Sequence, residues 1–142
     1  PETIRALVGD SLDSVPFVSG VNNHMGSKLT RDRAAMRPVL EVIKERKLFF
    51  IDSVTGARSI AHDQARRMGV PSAYRHVFLD SEVGTAYSRE KLVELFRLAR
   101  KKGRALAIGH PFPETLQALR EVRELARKHG VRLVPASSII TD

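Results

Sequence analysis

Leu48-Phe49-Phe50-Ile51-Asp52-Ser53 is four apolar residues in a row, closed by a carboxylate and a hydroxyl. An apolar run of this length without polar alternation fits a strand buried on both faces, and such strands belong to parallel sheets covered by helices. The same pattern recurs at Phe17-Val18-Ser19-Gly20-Val21, His76-Val77-Phe78-Leu79, Ala105-Leu106-Ala107-Ile108 and Val131-Arg132-Leu133-Val134. Between these runs lie apolar stripes at helical spacing: Met36, Val39, Leu40 and Ile43; Leu92, Leu95, Phe96 and Ala99; Leu119, Val122, Leu125 and Ala126. Thr30, Ser59 and Ser88 stand where N-caps are expected, Pro113 suits a first turn, and Gly69, Gly103 and Gly130 follow helix ends. Pro38 interrupts the first stripe, which predicts a kink or a fresh start near Arg37. The segment from Pro1 to about Gly9 reads as the end of a helix leading into the first strand.

Strand and helix in alternation imply an α/β fold with parallel strands joined by right-handed crossovers, either a barrel or an open doubly wound sheet. With 142 residues and 42% hydrophobic composition, the chain fits a single domain over 1–142. No apolar run approaches the roughly 18 residues of a membrane span. Pro1-Glu2-Thr3-Ile4-Arg5 shows no secretory signal pattern and no initiator Met, which is expected of a processed or excised piece.

The absence of cysteine removes disulfides, thiolate metal sites and thiol nucleophiles, leaving His, Asp, Glu, Ser and Asn as the available chemistry. No GxGxxG, phosphate-binding loop, HExxH or GxSxG pattern occurs, so dinucleotide, nucleotide, zincin and serine-hydrolase readings lose their usual support. A formal charge of +8 would suit a polyanion. Much of it, however, sits on helical segments, as at Arg97, Arg100, Lys101, Lys102, Arg120, Arg123, Arg127 and Lys128, where a solvated face explains it. With aromatics at only 6% and no nucleic-acid motif, nucleic acid is not an expected partner.

Polar residues succeed the apolar runs: Asn22-Asn23-His24, Asp52-Ser53, Asp80-Ser81, His110 and Ser137-Ser138. In a parallel α/β fold these positions share the carboxyl edge of the sheet, where ligands and catalytic groups collect. Turn and capping chemistry explains Asp80 and Ser81. His24 and His110 occupy equivalent strand-end positions, which points to metal ligation or acid–base work against ordinary hydrogen-bonded roles. His62 reads as an exposed helical residue, His76 as a strand start at the opposite edge, and His129 as a helix-end residue.

Gly20-Val21-Asn22-Asn23-His24-Met25-Gly26-Ser27, Leu48 to Ser53, Val77-Phe78-Leu79-Asp80 and Ala107-Ile108-Gly109-His110-Pro111 resemble, in order and spacing, the divergent polysaccharide deacetylases. The resemblance implies a distorted β/α barrel and a metal-dependent carbohydrate deacetylase that removes N- or O-acetyl groups. It implies a divalent metal, commonly zinc, with His24 and His110 as ligands. His110 is alternatively the general acid, and Asp52 is a carboxylate that ligates, orients or acts as base. Asn22, Asn23 and Ser27 would shape the substrate pocket. Acetylated carbohydrate is the implied partner, and the bacterial periplasm the implied location. Family members typically carry an Asp-Asp motif in a leading segment that would precede Pro1. Its absence leaves a noncatalytic glycan-binding or envelope interaction module as the alternative, and makes self-association or a modest rearrangement expected.

Overall fold

In the computed structural model, residues 2–140 are described, and they fall into two compact units, one running up to Tyr74 and the other Arg75–Ile139. The first unit opens on helix α1 (Glu2–Asp13), which extends beyond the expected end near Gly9; Pro1 lies outside the described residues. Strand β1 (Gly20–Asn22), helix α2 (Arg33–Glu45), strand β2 (Phe49–Asp52), helix α3 (Ala61–Arg67) and strand β3 (Ser72–Tyr74) come next along the chain. The three strands form a parallel sheet in the order β1-β2-β3, with Val21 opposite Phe50 and Ile51 opposite Ala73. Strand β3 replaces no expected run. Ser72 and Tyr74 are polar, and only the pairing with β2 makes Ser72-Ala73-Tyr74 a strand.

Met36, Leu40 and Ile43 of α2 pack with Phe50 of β2, Ala61 and Ala65 of α3, and Val70 into the core of this unit. The α2 stripe therefore covers the sheet as its spacing predicts. Pro38 does not break the assigned helix, which runs as one element from Arg33 to Glu45. A proline removes one backbone bond within a helix, and here the ring is itself buried on the apolar face. The helix begins not at Thr30 but after Asp32, whose carboxylate accepts from the Ala34 and Ala35 N–H groups at 2.9 and 3.1 Å. Thr30 lies instead in the 3₁₀ turn Leu29–Arg31, fully buried.

The second unit holds strand β4 (Val77–Phe78), helix α4 (Thr85–Lys102), strand β5 (Ala107–Ile108) and helices α5 (Pro113–Arg120) and α6 (Val122–Lys128). Strands β4 and β5 pair in parallel, Val77 opposite Ala107 and Phe78 opposite Ile108. Val77, Leu79, Leu92, Phe96, Ala118 and Ala126 make its core. Gly103 ends α4 at φ 82°, the left-handed conformation for which glycine is suited, and Pro113 opens α5. Ser88 lies buried within α4 rather than capping it. The expected strand Val131–Val134 is not formed: no ladder partner meets it among the described residues, and Leu133 and Val134 are exposed. A cleft of about 840 Å³ lined by Leu92, Leu95, Leu106, Leu119, Val122 and Val131 opens in this unit. Parallel strands alternating with helices are thus present in both units, and no sheet among the described residues closes on itself.

Two histidines fasten the sheets. His62, half-buried on α3, meets the Ser72 hydroxyl through Nδ1 at 3.2 Å, so it is not the exposed helical residue its position suggests. His76 accepts the Leu106 N–H on Nδ1 at 3.2 Å, a bond that requires that nitrogen unprotonated. Burial is the first cause that pushes both imidazoles below the ordinary histidine value, with Lys102 and Arg104 adding to it at His76 and Arg66 at His62. Asp63 and Asp52 oppose the shift at His62 without reversing it. The unfolded chain takes up these protons first, near the usual value of about 6.5, so the stabilising effect is whole above that pH. It then falls as the pH drops toward the depressed folded values. Urea midpoints at pH 7.5 and 5.5 are expected to show the chain weaker at 5.5, with a smaller loss in the double variant His62→Gln/His76→Gln. An equal loss in parent and variant would assign the acid sensitivity elsewhere.

Candidate functional site

In the second unit, Asp80 follows β4 and His110 follows β5, and the β4–β5 pairing brings the two strand ends together. His110 Nδ1 lies 3.0 Å from Asp80 Oδ1, while Asp80 Oδ2 accepts from the His110 backbone N–H at 2.5 Å and from the Thr115 hydroxyl at 2.9 Å. The Asp80 side chain is 1% exposed and that of His110 is 34% exposed, so a buried carboxylate supports a solvent-reaching imidazole. The Phe78 and Phe112 rings stand 5.5 and 5.0 Å from the imidazole. Gly109 permits this approach, since a Cβ there would lie 3.2 Å from both Asp80 Oδ2 and Leu79 Cβ. Such an arrangement assigns the proton to Nδ1 and places the lone pair on Nε2. Asp80 is the residue that turn chemistry undervalued. Its signal was present in the sequence as the strand-end counterpart of His110 on an adjacent run.

In the first unit the ends of β1 and β2 are joined by one bond between side chains and one from backbone to side chain. Asn22 Nδ2 donates to Ser53 Oγ at 3.0 Å, and the Ser53 N–H donates to Asn23 Oδ1 at 2.8 Å. Asn23 Nδ2 and the Thr55 hydroxyl both donate to the Met25 carbonyl, at 3.0 and 3.1 Å. His24 and Ser27 are exposed on this loop. Asp52 is 2% exposed, and both of its carboxylate oxygens are engaged. Oδ1 accepts the Val54 N–H at 2.8 Å; Oδ2 accepts the Ser59 hydroxyl at 2.7 Å and the His62 N–H at 3.2 Å. Ser59, one residue before the N-cap Ile60, accepts the Ala61 N–H on Oγ at 3.4 Å while its hydroxyl donates to Asp52, so it caps the first turn of α3 and also holds the carboxylate.

The residues singled out by sequence thus divide between the units: Asn22, Asn23, His24, Ser27 and Asp52 in the first, His110 in the second. No group of three or more His, Asp or Glu side chains that could hold a metal occurs among the described residues. His129 ends α6 as its C-cap and packs against Phe96 at 5.7 Å, while Ser137 and Ser138 lie in the 3₁₀ turn Ala136–Ile139. No helix among the described residues is long and apolar enough to cross a membrane.

Comparison with known proteins agrees with the strand-end motifs. The chain is 34% identical over 141 residues to the uncharacterized protein YibQ of Escherichia coli, covering 99% of this chain and 44% of that protein. It is 42% identical over 117 residues to an uncharacterized protein of Haemophilus influenzae, covering 82% of this chain and 39% of the relative. The chain therefore spans less than half the length of these relatives. The crystal structure of the uncharacterized protein ATU2773 from Agrobacterium tumefaciens superposes with a TM-score of 0.81 at 30% identity, over 85% of this chain and 49% of that one. A family model described as divergent polysaccharide deacetylase matches residues 1–140, and the chain belongs to that family.

Proposed function

We propose that the chain acts as a carbohydrate deacetylase, hydrolysing N- or O-acetyl groups of a polysaccharide in the bacterial periplasm, with the distorted β/α barrel of its family as its fold. The observation that carries this reading is the buried Asp80 carboxylate bonded to His110 at a strand end of a family member. Asp80 holds Nδ1, so Nε2 is the nitrogen that exchanges a proton with substrate. Water adds to the acetyl carbon as it loses a proton to Nε2, and the bond from that carbon to the sugar nitrogen or oxygen then breaks. The imidazolium gives its Nε2 proton to the departing atom, and acetate remains. Asp80 keeps Nδ1 bonded throughout, and Phe78 and Phe112 flank the ring.

Of the three roles open to Asp52, its bonds favour orienting: it fixes the loop after β2 and the first turn of α3. Asn22, the last residue of β1, and Ser27, in the loop that follows, would meet the sugar. The family reading adds a divalent metal, zinc, with His24 the first ligand to test; when bound it would polarise the acetyl carbonyl and acidify a water. Imidazole suits zinc, but the described residues complete no ligand set, and no step above passes through it.

Acetate release from a panel of N- and O-acetylated oligosaccharides, with zinc supplied, tests the reading. His110→Ala is expected to lower the rate by about 10²-fold or more, and Asp80→Asn to lower it with little change in KM. Sugar binding without acetate release would place the chain as a glycan-binding module, and a His110→Ala variant as active as the parent would end the acid assignment. Calorimetric titration with zinc is expected to show binding weakened by His24→Ala; equal affinity in both would remove His24 from any metal site.

A further inference from the structure

Beyond Asn22, which pairs with Ile51, the β1–β2 ladder stops, yet the two chains do not separate. The next step of the ladder is supplied by a side chain: Asn23 Oδ1 takes the Ser53 N–H at the place where a backbone carbonyl would continue the sheet. The other end of the same amide turns back, and Nδ2 binds the Met25 carbonyl, which also accepts the Thr55 hydroxyl from the facing loop. His24 lies between the two residues so fastened. Met25 stands at φ 57° and Val54 at φ 47°, left-handed conformations that a β-branched valine in particular avoids. Backbone of this kind persists only where the surroundings over-determine it. Here the determinants are the amide of Asn23, the Asn22–Ser53 bond and the Val54 N–H bond to Asp52.

We propose that Asn23 is a positioning residue, which locks the loop bearing His24 onto the loop after β2, and not a residue that contacts sugar. The inference rests on the reading of His24 as a site residue. Asn23 is the side chain that can do this: half-buried, it uses an acceptor toward Ser53 and a donor toward Met25 at one length. Aspartate keeps the acceptor and loses the donor. Alanine loses both.

The test uses the isotope-labelled full chain as the parent and as Asn23→Ala and Asn23→Asp, reading amide hydrogen exchange and the His24 ring signals by NMR. In Asn23→Ala the Ser53 amide is expected to exchange at least about 10-fold faster and the His24 ring signals to shift or broaden. The Leu106 amide in the other unit serves as the internal standard and stays as in the parent. In Asn23→Asp the Ser53 protection is retained while the His24 signals still move, a split that general loosening would not give. His24 signals unchanged in both variants would overturn the inference. If Asn23→Ala fails to fold, Asn23→Asp alone decides on the same two readouts. Zinc added to the parent separates the two readings. A His24 ring indifferent to zinc counts against the metal role, while the exchange and ring data still decide the positioning role.

Discussion

A carboxylate taken out of water at the end of a strand must be surrounded by donors, because an unmatched buried charge costs more than the fold can absorb. Each unit of this chain contains one such group. Asp52 closes β2 and Asp80 follows β4, and both side chains are buried. Each gathers three donors, and in each case the donors come from segments that the strand alone would not order. For Asp52 they are the Val54 N–H, the Ser59 hydroxyl and the His62 N–H at the start of α3. For Asp80 they are the His110 backbone, the His110 ring and the Thr115 hydroxyl on α5. The carboxylate therefore sets where the next loop runs and where the next helix begins.

The two aspartates nevertheless differ in chemistry. Every donor to Asp52 is a backbone amide or a hydroxyl, so its charge is spent on architecture. One donor to Asp80 is an imidazole, and under the proposed function this turns the same device into an acid–base pair. A strand-end aspartate thus becomes chemical or structural according to what the adjacent strand end supplies. Position 110, after β5, supplies a histidine; Asn23, beyond the end of β1, supplies an amide that extends the sheet instead.

This difference explains what the sequence revealed and what it hid. Continuous apolar runs marked β2, β4 and β5, and helical stripes marked α2 and α4, because burial on one or both faces writes itself into spacing. Strand β3 was hidden, since Ser72-Ala73-Tyr74 has no apolar run and exists through its pairing with β2. Val131–Val134 has the run without the pairing, and it forms no strand. Caps misled for a related reason. Thr30 and Ser88 have the right composition, but their hydroxyls are buried, while Asp32 supplies the cap of α2. His24, Asn22, Asn23, Asp52 and His110 could be located as strand-end residues from sequence. Which of them bind each other could not, because hydrogen-bond partners thirty residues apart depend on register, and register appears only in the paired sheet.

The imidazole of His110 is constrained from more than one side, and that matters for any proton it moves. Asp80 fixes one ring nitrogen, but a single bond at the ring edge would still let the plane rock about that bond. Phe78, on the strand opposite Ile108, and Phe112, two residues along the chain, stand 5.5 and 5.0 Å away at tilts of 53° and 34°. Contacts of this geometry are individually weak, yet they add to the hydrogen bond and so narrow the motion it leaves open. Phe112 also precedes Pro113, the first residue of α5, and Thr115 on that helix binds Asp80. The start of α5 thus holds both the ring wall and the carboxylate, which makes the helix, rather than either strand alone, the element that keeps Asp80 and His110 in one geometry.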